Sequence, residues 1–117
     1  MSEQPANIAY LLITPGDGIE LKHGPLGVKE AQDIVGGDFE ALQPTSPPPF
    51  VMLVAEDGKR MGLNPNWGAT RVMSSILRPS DFVVGTAIVT GPPDASGELT
   101  SIDVAVVEAI RRRVDRS

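Results

Sequence analysis

The stretch NIAYLLITPGDGIELKH, residues 7–23, decides the architecture. Its first half, Asn7–Thr14, is a near-continuous apolar run of strand length, the pattern of a central strand buried on both faces. Pro15-Gly16-Asp17-Gly18 then supplies a turn, because these residue types accept tight-turn geometry. Ile19-Glu20-Leu21-Lys22-His23 alternates with period two, as a strand with one wet face does. Residues 7–23 therefore read as a β-hairpin.

Beyond the hairpin the period changes at Gly27–Val35. Val28, Ala31 and Ile34/Val35 recur at helical spacing, with Lys29, Glu30, Gln32 and Asp33 opposite, and Gly36-Gly37 stops this short helix. Asp38–Gln43 returns to a strand pattern. Four prolines within Pro44–Pro49 require an extended surface loop. Phe50–Ala55 is the next apolar strand, Glu56-Asp57-Gly58-Lys59 its hairpin turn, and Arg60–Leu63 a short return strand. The loop Asn64-Pro65-Asn66-Trp67-Gly68 leads to a helix at about Ala69–Leu77, which Pro79-Ser80-Asp81 breaks. Phe82–Thr90 is rich in β-branched residues and is the most strand-like run of all. After a loop at Gly91–Gly97, Thr100-Ser101-Ile102-Asp103 opens a last helix with a hydroxyl cap and an acid in its first turn. Ile102, Val106, Ala109/Ile110 and Val114 form its apolar stripe.

The resulting order, β-β-α-β-β-β-α-β-α, lacks alternating βα units and so disfavours a doubly wound parallel sheet. It predicts an α+β fold: a mixed, mainly antiparallel sheet with helices packed on one face, its leading ββαββ portion β-grasp-like. Residues 1–6 read as a flexible N-terminus and 7–117 as one domain, in keeping with a chain of 117 residues. Apolar residues make up 41%, enough for a core of ordinary size.

Composition narrows the chemistry. There is no cysteine, which removes disulfides, thiolate metal sites and cysteine nucleophiles. Met1–Pro5 lacks the basic and apolar regions of a signal peptide. No apolar run approaches the ~20 residues of a membrane span. A soluble protein acting in the cytoplasm is expected. The net charge of −5 has its source in residues 1–98, which hold 12 acidic and 6 basic residues, whereas residues 99–117 hold 3 acidic and 4 basic, so a broad phosphate-binding face is disfavoured.

Candidate chemical motifs have simpler explanations. His23, the only histidine, stands beside Gly24-Pro25 and reads as a solvated residue at a strand end. Gly16-Asp17-Gly18 lacks the third glycine and the helix of a phosphate loop, and Gly58-Lys59-Arg60 lacks P-loop spacing. Asp17, Asp57, Asp81 and Asp94 each lie close to glycine or proline, where aspartate serves turn geometry better than metal binding. The arginines of Arg111–Arg116 spread around a helix, with Glu108 and Asp115 beside them, and balance its dipole rather than form a nucleic-acid patch. No catalytic constellation is visible, and neither enzymatic activity nor a cofactor is expected.

Trp67, the single tryptophan, has two readings: an anchor that fastens its loop to the core, or an exposed contact for a partner. The Pro47-Pro48-Pro49 stretch is similarly either a stiff connector or a segment that a partner reads. Gly62-Leu63, Asn66 and Ala69-Thr70 match the Gly-Leu-Pro-x-Asn-x-x-Ala-Thr segment of a small family of domains of unknown function. That family occurs in actinobacterial phages, prophages and conjugative elements. Val35-Gly36-Gly37-Asp38-Phe39-Glu40 is similar to its helix-to-strand turn, and Asp81, Gly85 and Val89-Thr90-Gly91 to its late strand. The resemblance spans residues 8 to about 98; Asn64 in place of proline and the Pro-rich insertion at 44–49 depart from it. It implies a phage or mobile-element origin and a compact α+β domain, and it implies no substrate.

These readings lead to an accessory protein that binds a host protein, with Trp67, Asn66, Thr70, Arg71, Pro48 and Phe50 as interaction candidates. The alternative is a small-ligand or nucleotide-binding protein, with polar groups converging near Asn66, Thr70 and Arg71. A homodimer through an unpaired edge strand is a further expectation. Within the motif, Asn66 and Thr70 are suited to capping the helix start and fixing the loop.

Overall fold

The computed structural model describes residues 5, 7–16, 18–45 and 47–115. The expectation of a flexible 1–6 segment falls largely outside these residues, as do Asp17 and Arg116.

The hairpin forms as expected. Strand β1 (Asn7–Ile13) pairs antiparallel with β2 (Ile19–Pro25), Asn7 opposite Pro25 and Ile13 opposite Ile19. Helix α1 (Val28–Val35) follows and ends at Gly36-Gly37, whose N–H groups both donate to the Gln32 carbonyl. Strands β3 (Phe39–Leu42) and β4 (Val51–Ala55) form a second antiparallel pair across the Pro-rich loop. Helix α2 (Trp67–Val72), strand β5 (Ala87–Thr90) and helix α3 (Val104–Asp115) complete the order. The sheet runs β2-β1-β5-β4-β3, and every neighbouring pair is antiparallel. The leading ββαββ order is present, but the two hairpins do not touch edge to edge, because β5 lies between them.

The α+β class and the antiparallel sheet stand as expected, whereas the placement of the helices on one face is corrected. Alternate residues of a strand face opposite ways, and here both sets are apolar. Ile8, Tyr10, Val51, Leu53, Ala55 and Ile88 pack with Ala31 and Val35 of α1. Leu11, Ile13, Met52, Val54, Ala87 and Val89 pack with Ala69 and Val72 of α2 and with Val106, Ile110 and Val114 of α3. A sheet apolar on both faces must be covered on both. The run Asn7–Thr14 carried that message in its continuous hydrophobicity.

Three local expectations are also revised. Arg60–Leu63 is not a return strand: the chain after β4 coils through turns, with Met61 N–H on the Asp57 carbonyl and Leu63 N–H on that of Gly58. The run Phe82–Thr90 is interrupted at Gly85, whose φ of +75° is a left-handed conformation that a β-branched residue resists. Only Ala87–Thr90 joins the sheet, while Val84 bridges Pro65 instead. The helix expected at Ala69–Leu77 starts at Trp67 and gives way to turns after Val72.

The last helix is capped by the Asp103 carboxylate, which accepts from Ala105 N–H, rather than by a hydroxyl. The hydroxyls of Ser101 and Thr100 have other tasks. Ser101 Oγ accepts from Ala9 N–H and Thr100 Oγ1 donates to the Pro92 carbonyl. Ile102 N–H donates to the Ala9 carbonyl, so residues 101–102 lie beside β1 where β5 has ended. Gly91 bridges Thr100 at the base of this return, its N–H on the Thr100 carbonyl.

A side chain has no room at Gly91. A Cβ there would lie 2.3 Å from Thr100 Oγ1 and 2.5 Å from the backbone oxygen of Ser101. Because backbone cannot step aside, Gly91→Ala is expected to destabilise the domain by about 1–3 kcal/mol, the usual cost of overpacking, read as a lowered urea midpoint. An unchanged midpoint would show that the 91–100 return is not held as closely as described.

Candidate functional site

Asn66 is fully buried and every arm of its side chain is used. Nδ2 donates to the carbonyls of Ile13 at the end of β1 and Gly85 before β5, each at 2.8 Å. Oδ1 accepts from Ala69 N–H at 3.1 Å, which caps α2. The backbone of the same residue donates to the Val83 carbonyl and accepts from Thr70 N–H. Thr70 Oγ1 closes the circuit, donating to the Asn66 carbonyl and accepting from Val83 N–H. The capping role expected of Asn66 and Thr70 is therefore met. As an interaction candidate Asn66 is corrected: it has no exposed atom to offer a partner, and it positions its neighbours instead.

Trp67 is one of those neighbours. With Asn66 held inward as N-cap, helical spacing turns Gly68, Ala69 and Val72 to the core and Trp67, Thr70 and Arg71 outward. Trp67 is 51% exposed, and its ring packs on Phe82 with centroids 5.3 Å apart and planes tilted by 40°. Lys59 Nζ lies 4.5 Å from the centre of the Phe82 ring and is ion-paired with Asp81. The same carboxylate oxygen accepts from Phe82 N–H. The Lys59 ammonium and this backbone donor hold the Asp81 carboxyl below its ordinary range. Trp67, Phe82, Lys59 and Asp81 thus form one surface platform.

Beside the platform opens a cleft of about 530 Å³. Its floor includes Leu42, Val54, Ile76 and Val83, and its rim carries Glu40, Glu56, Lys59, Arg60, Arg78 and Asp81. Both signs of charge line it, so it does not attract one simple ion class. On the opposite face of the sheet, next to α1, a groove of about 410 Å³ is lined by Leu26, Val28, Phe39, Val51, Leu53 and Leu99. Val28, expected on the apolar stripe that α1 buries, is 65% exposed at its edge.

The remaining candidates are dispersed. Arg71 is partly buried and donates through Nη2 to the Val114 carbonyl at 2.8 Å, while Arg113 Nη1 donates to the Val72 carbonyl at 3.1 Å. Each arginine serves the C-terminal end of the other's helix, where carbonyls lack intrahelical donors. The side chains of Asn66 and Thr70 bond the backbone around Ile13, Val83 and Gly85, whereas Arg71 reaches the end of α3. Phe50 is buried in the core below α2 and α3, which corrects its place among the surface candidates. Pro48 is half-buried beside Arg112 and Arg113 at the end of α3.

Sequence reasoning passed over Phe82, Lys59 and Asp81, reading them as a strand residue and two turn residues. Lys59 and Asp81 are 22 positions apart, so no local pattern links them. Among the described residues no group of three or more histidines and carboxylates is placed to hold a metal ion, and no helix is long and apolar enough to cross a membrane.

The chain belongs to a family of domains of unknown function: the sequence profile of Domain of unknown function (DUF3846) matches residues 8–115, from β1 through α3. No curated protein and no solved structure matches it.

Asn66→Ala strands two carbonyls and one amide in the interior, so it should cost about 3 kcal/mol or more, and the near-isosteric Thr70→Val about 1–2 kcal/mol. Equilibrium unfolding of both variants checks this; equal stability with wild type would remove Asn66 as the structural pin. In an NMR titration the Asp81 carboxyl should titrate below an ordinary aspartate and move upward in Lys59→Met. A depressed carboxyl contributes stability at neutral pH that disappears as pH falls through its folded value, so the difference between the two proteins should fade in acid.

Proposed function

We propose that this domain is a non-enzymatic binding protein whose contact surface is centred on Trp67, with Phe82 and Lys59 beside it. The partner is a host protein in the bacterial cytoplasm, which follows if the phage or mobile-element origin implied by the sequence resemblance holds. The observation that carries the reading is the state of the tryptophan. It is the only one in the chain and it is half exposed, yet it is fastened on one side by the Asn66 cap and on the other by the Phe82 ring.

A large aromatic surface left in water loses hydrophobic stabilisation on its exposed side. Held still in advance, it forfeits little conformational freedom when a partner covers it. Tryptophan is for this reason over-represented where binding energy concentrates. The rim of the adjacent cleft, with Lys59, Arg60 and Arg78 among Glu40, Glu56 and Asp81, supplies polar groups of both signs around an apolar centre. An apolar anchor bordered by charged groups suits a protein contact.

The small-ligand reading has its own support in the groove beside α1. Its volume of about 410 Å³ lies in the range of small-molecule sites, and its lining of Leu26, Phe39, Val51, Leu53 and Leu99 suits an apolar ligand better than a nucleotide.

Tagged wild type and Trp67→Ala, compared by pull-down from actinobacterial lysate, test the proposal. Both should be folded, since the substitution removes a half-exposed side chain. A partner held by wild type should be lost from the variant, with affinity reduced about 30-fold or more, the ~2 kcal/mol expected of a central anchor. Equal capture by both proteins would remove Trp67 from the contact.

A further inference from the structure

We propose that the outer edge of β2 pairs with the same edge of a second copy of this chain, in antiparallel register centred on Leu21, to make a two-fold symmetric dimer with one continuous sheet. The edge is open. At β2 the sheet order ends, and Glu20, Leu21, Lys22 and His23 are all exposed, with Leu21 at 44%.

The hydrogen-bond pattern says which groups that edge presents. Ala9 directs its N–H to Ser101 Oγ and its carbonyl to Ile102 N–H, both away from β2. His23, directly opposite Ala9, therefore sits in a non-hydrogen-bonded pair and turns its own N–H and carbonyl outward. By the period of two, so do Leu21 opposite Leu11 and Ile19 opposite Ile13. Agreement comes from the far side of β1, where the Ile13 carbonyl is taken by Asn66.

A two-fold pairing centred on Leu21 sets each outward residue against an outward residue of the other copy. Leu21 meets Leu21, and Ile19 meets His23 in both directions, each exchanging N–H and carbonyl. The intervening positions then place Glu20 of one copy against Lys22 of the other, twice. These are non-hydrogen-bonded pairs, in which directly opposed Cα atoms approach to about 4.5 Å and side chains are closest. Glu20 and Lys22 already attract within one strand, Nζ to Oε1 at 3.3 Å. In the dimer the same charges form an alternating cluster across the seam. Lysine on an edge strand ordinarily deters pairing; in this register it meets a carboxylate. The other edge of the sheet, β3, is four residues long, and a two-fold pairing centred on Glu40 or on Ala41 would set Glu40 against Glu40 or against Leu42 rather than against a cation. A two-fold axis also yields a closed assembly rather than a fibre.

Sedimentation velocity, with circular dichroism to confirm folding, tests the pairing. Wild type should sediment at twice the 12.4 kDa chain mass. Lys22→Glu alone opposes carboxylate to carboxylate and Glu20→Lys alone opposes ammonium to ammonium, so each should sediment at the mass of one chain. Mixing these two variants should restore the doubled mass as a heterodimer, because every facing pair is again of opposite sign. A change that merely disturbed the hairpin would not be repaired by mixing. Wild type at the mass of one chain across the concentration range, or a dimer indifferent to both substitutions, would overturn the inference.

Discussion

The fold turns on one buried amide. The Asn66 side chain joins three pieces of chain that are distant in sequence: the end of β1, the approach to β5 and the first turn of α2. A polar side chain withdrawn completely from water loses its hydration, and only full replacement of those bonds makes the burial tolerable. Here the replacement is complete, and each bond goes to a backbone group that would itself be costly to bury unpaired. The amide is thus satisfied in a single arrangement of its surroundings, which is what makes it a fixed point.

Much of the neighbouring architecture follows from that point. The Asn66 N–H and Thr70 hydroxyl fasten Val83, and the Asn64 carbonyl receives the Gly85 N–H, so the 64–66 and 83–85 segments run as a short ladder outside the main sheet. This ladder brings Phe82 beneath Trp67 and places Asp81 within reach of Lys59. The exposed aromatic platform is in this sense a product of the buried cap. A core requirement dictates the direction of Asn66, and helical geometry then dictates that Trp67 faces out.

The two-sided sheet imposes a second constraint. Apolar residues at successive positions of β1, β4 and β5 leave neither face free to meet water, so α1 covers one and the α2–α3 pair the other. On the second face Arg71 and Arg113 bind the helices reciprocally through their C-terminal carbonyls. A cluster that reads along the chain as a balance for the helix dipole is in part an internal fastening. What remains outside both covers is β2, an edge strand with wet residues on both sides.

Local physics determined a good part of this from sequence alone. The β1–β2 hairpin, α1 with its Gly36-Gly37 stop, β3, β4 and the buried stripe of α3 all follow from apolar period and turn chemistry, which act over a few residues. The capping chemistry of Asn66 and Thr70 was legible for the same reason, since Ala69 N–H and the Asn66 carbonyl lie within one helical turn. Tertiary structure alone decided the rest. That β5 inserts between the hairpins, that Phe82–Val84 leaves the sheet, that Phe50 is core and Trp67 surface, and that Lys59 meets Phe82 and Asp81 all depend on contacts between segments far apart in the chain. Periodicity states that a residue faces a different way from its neighbour; only the packed fold states what lies on each side.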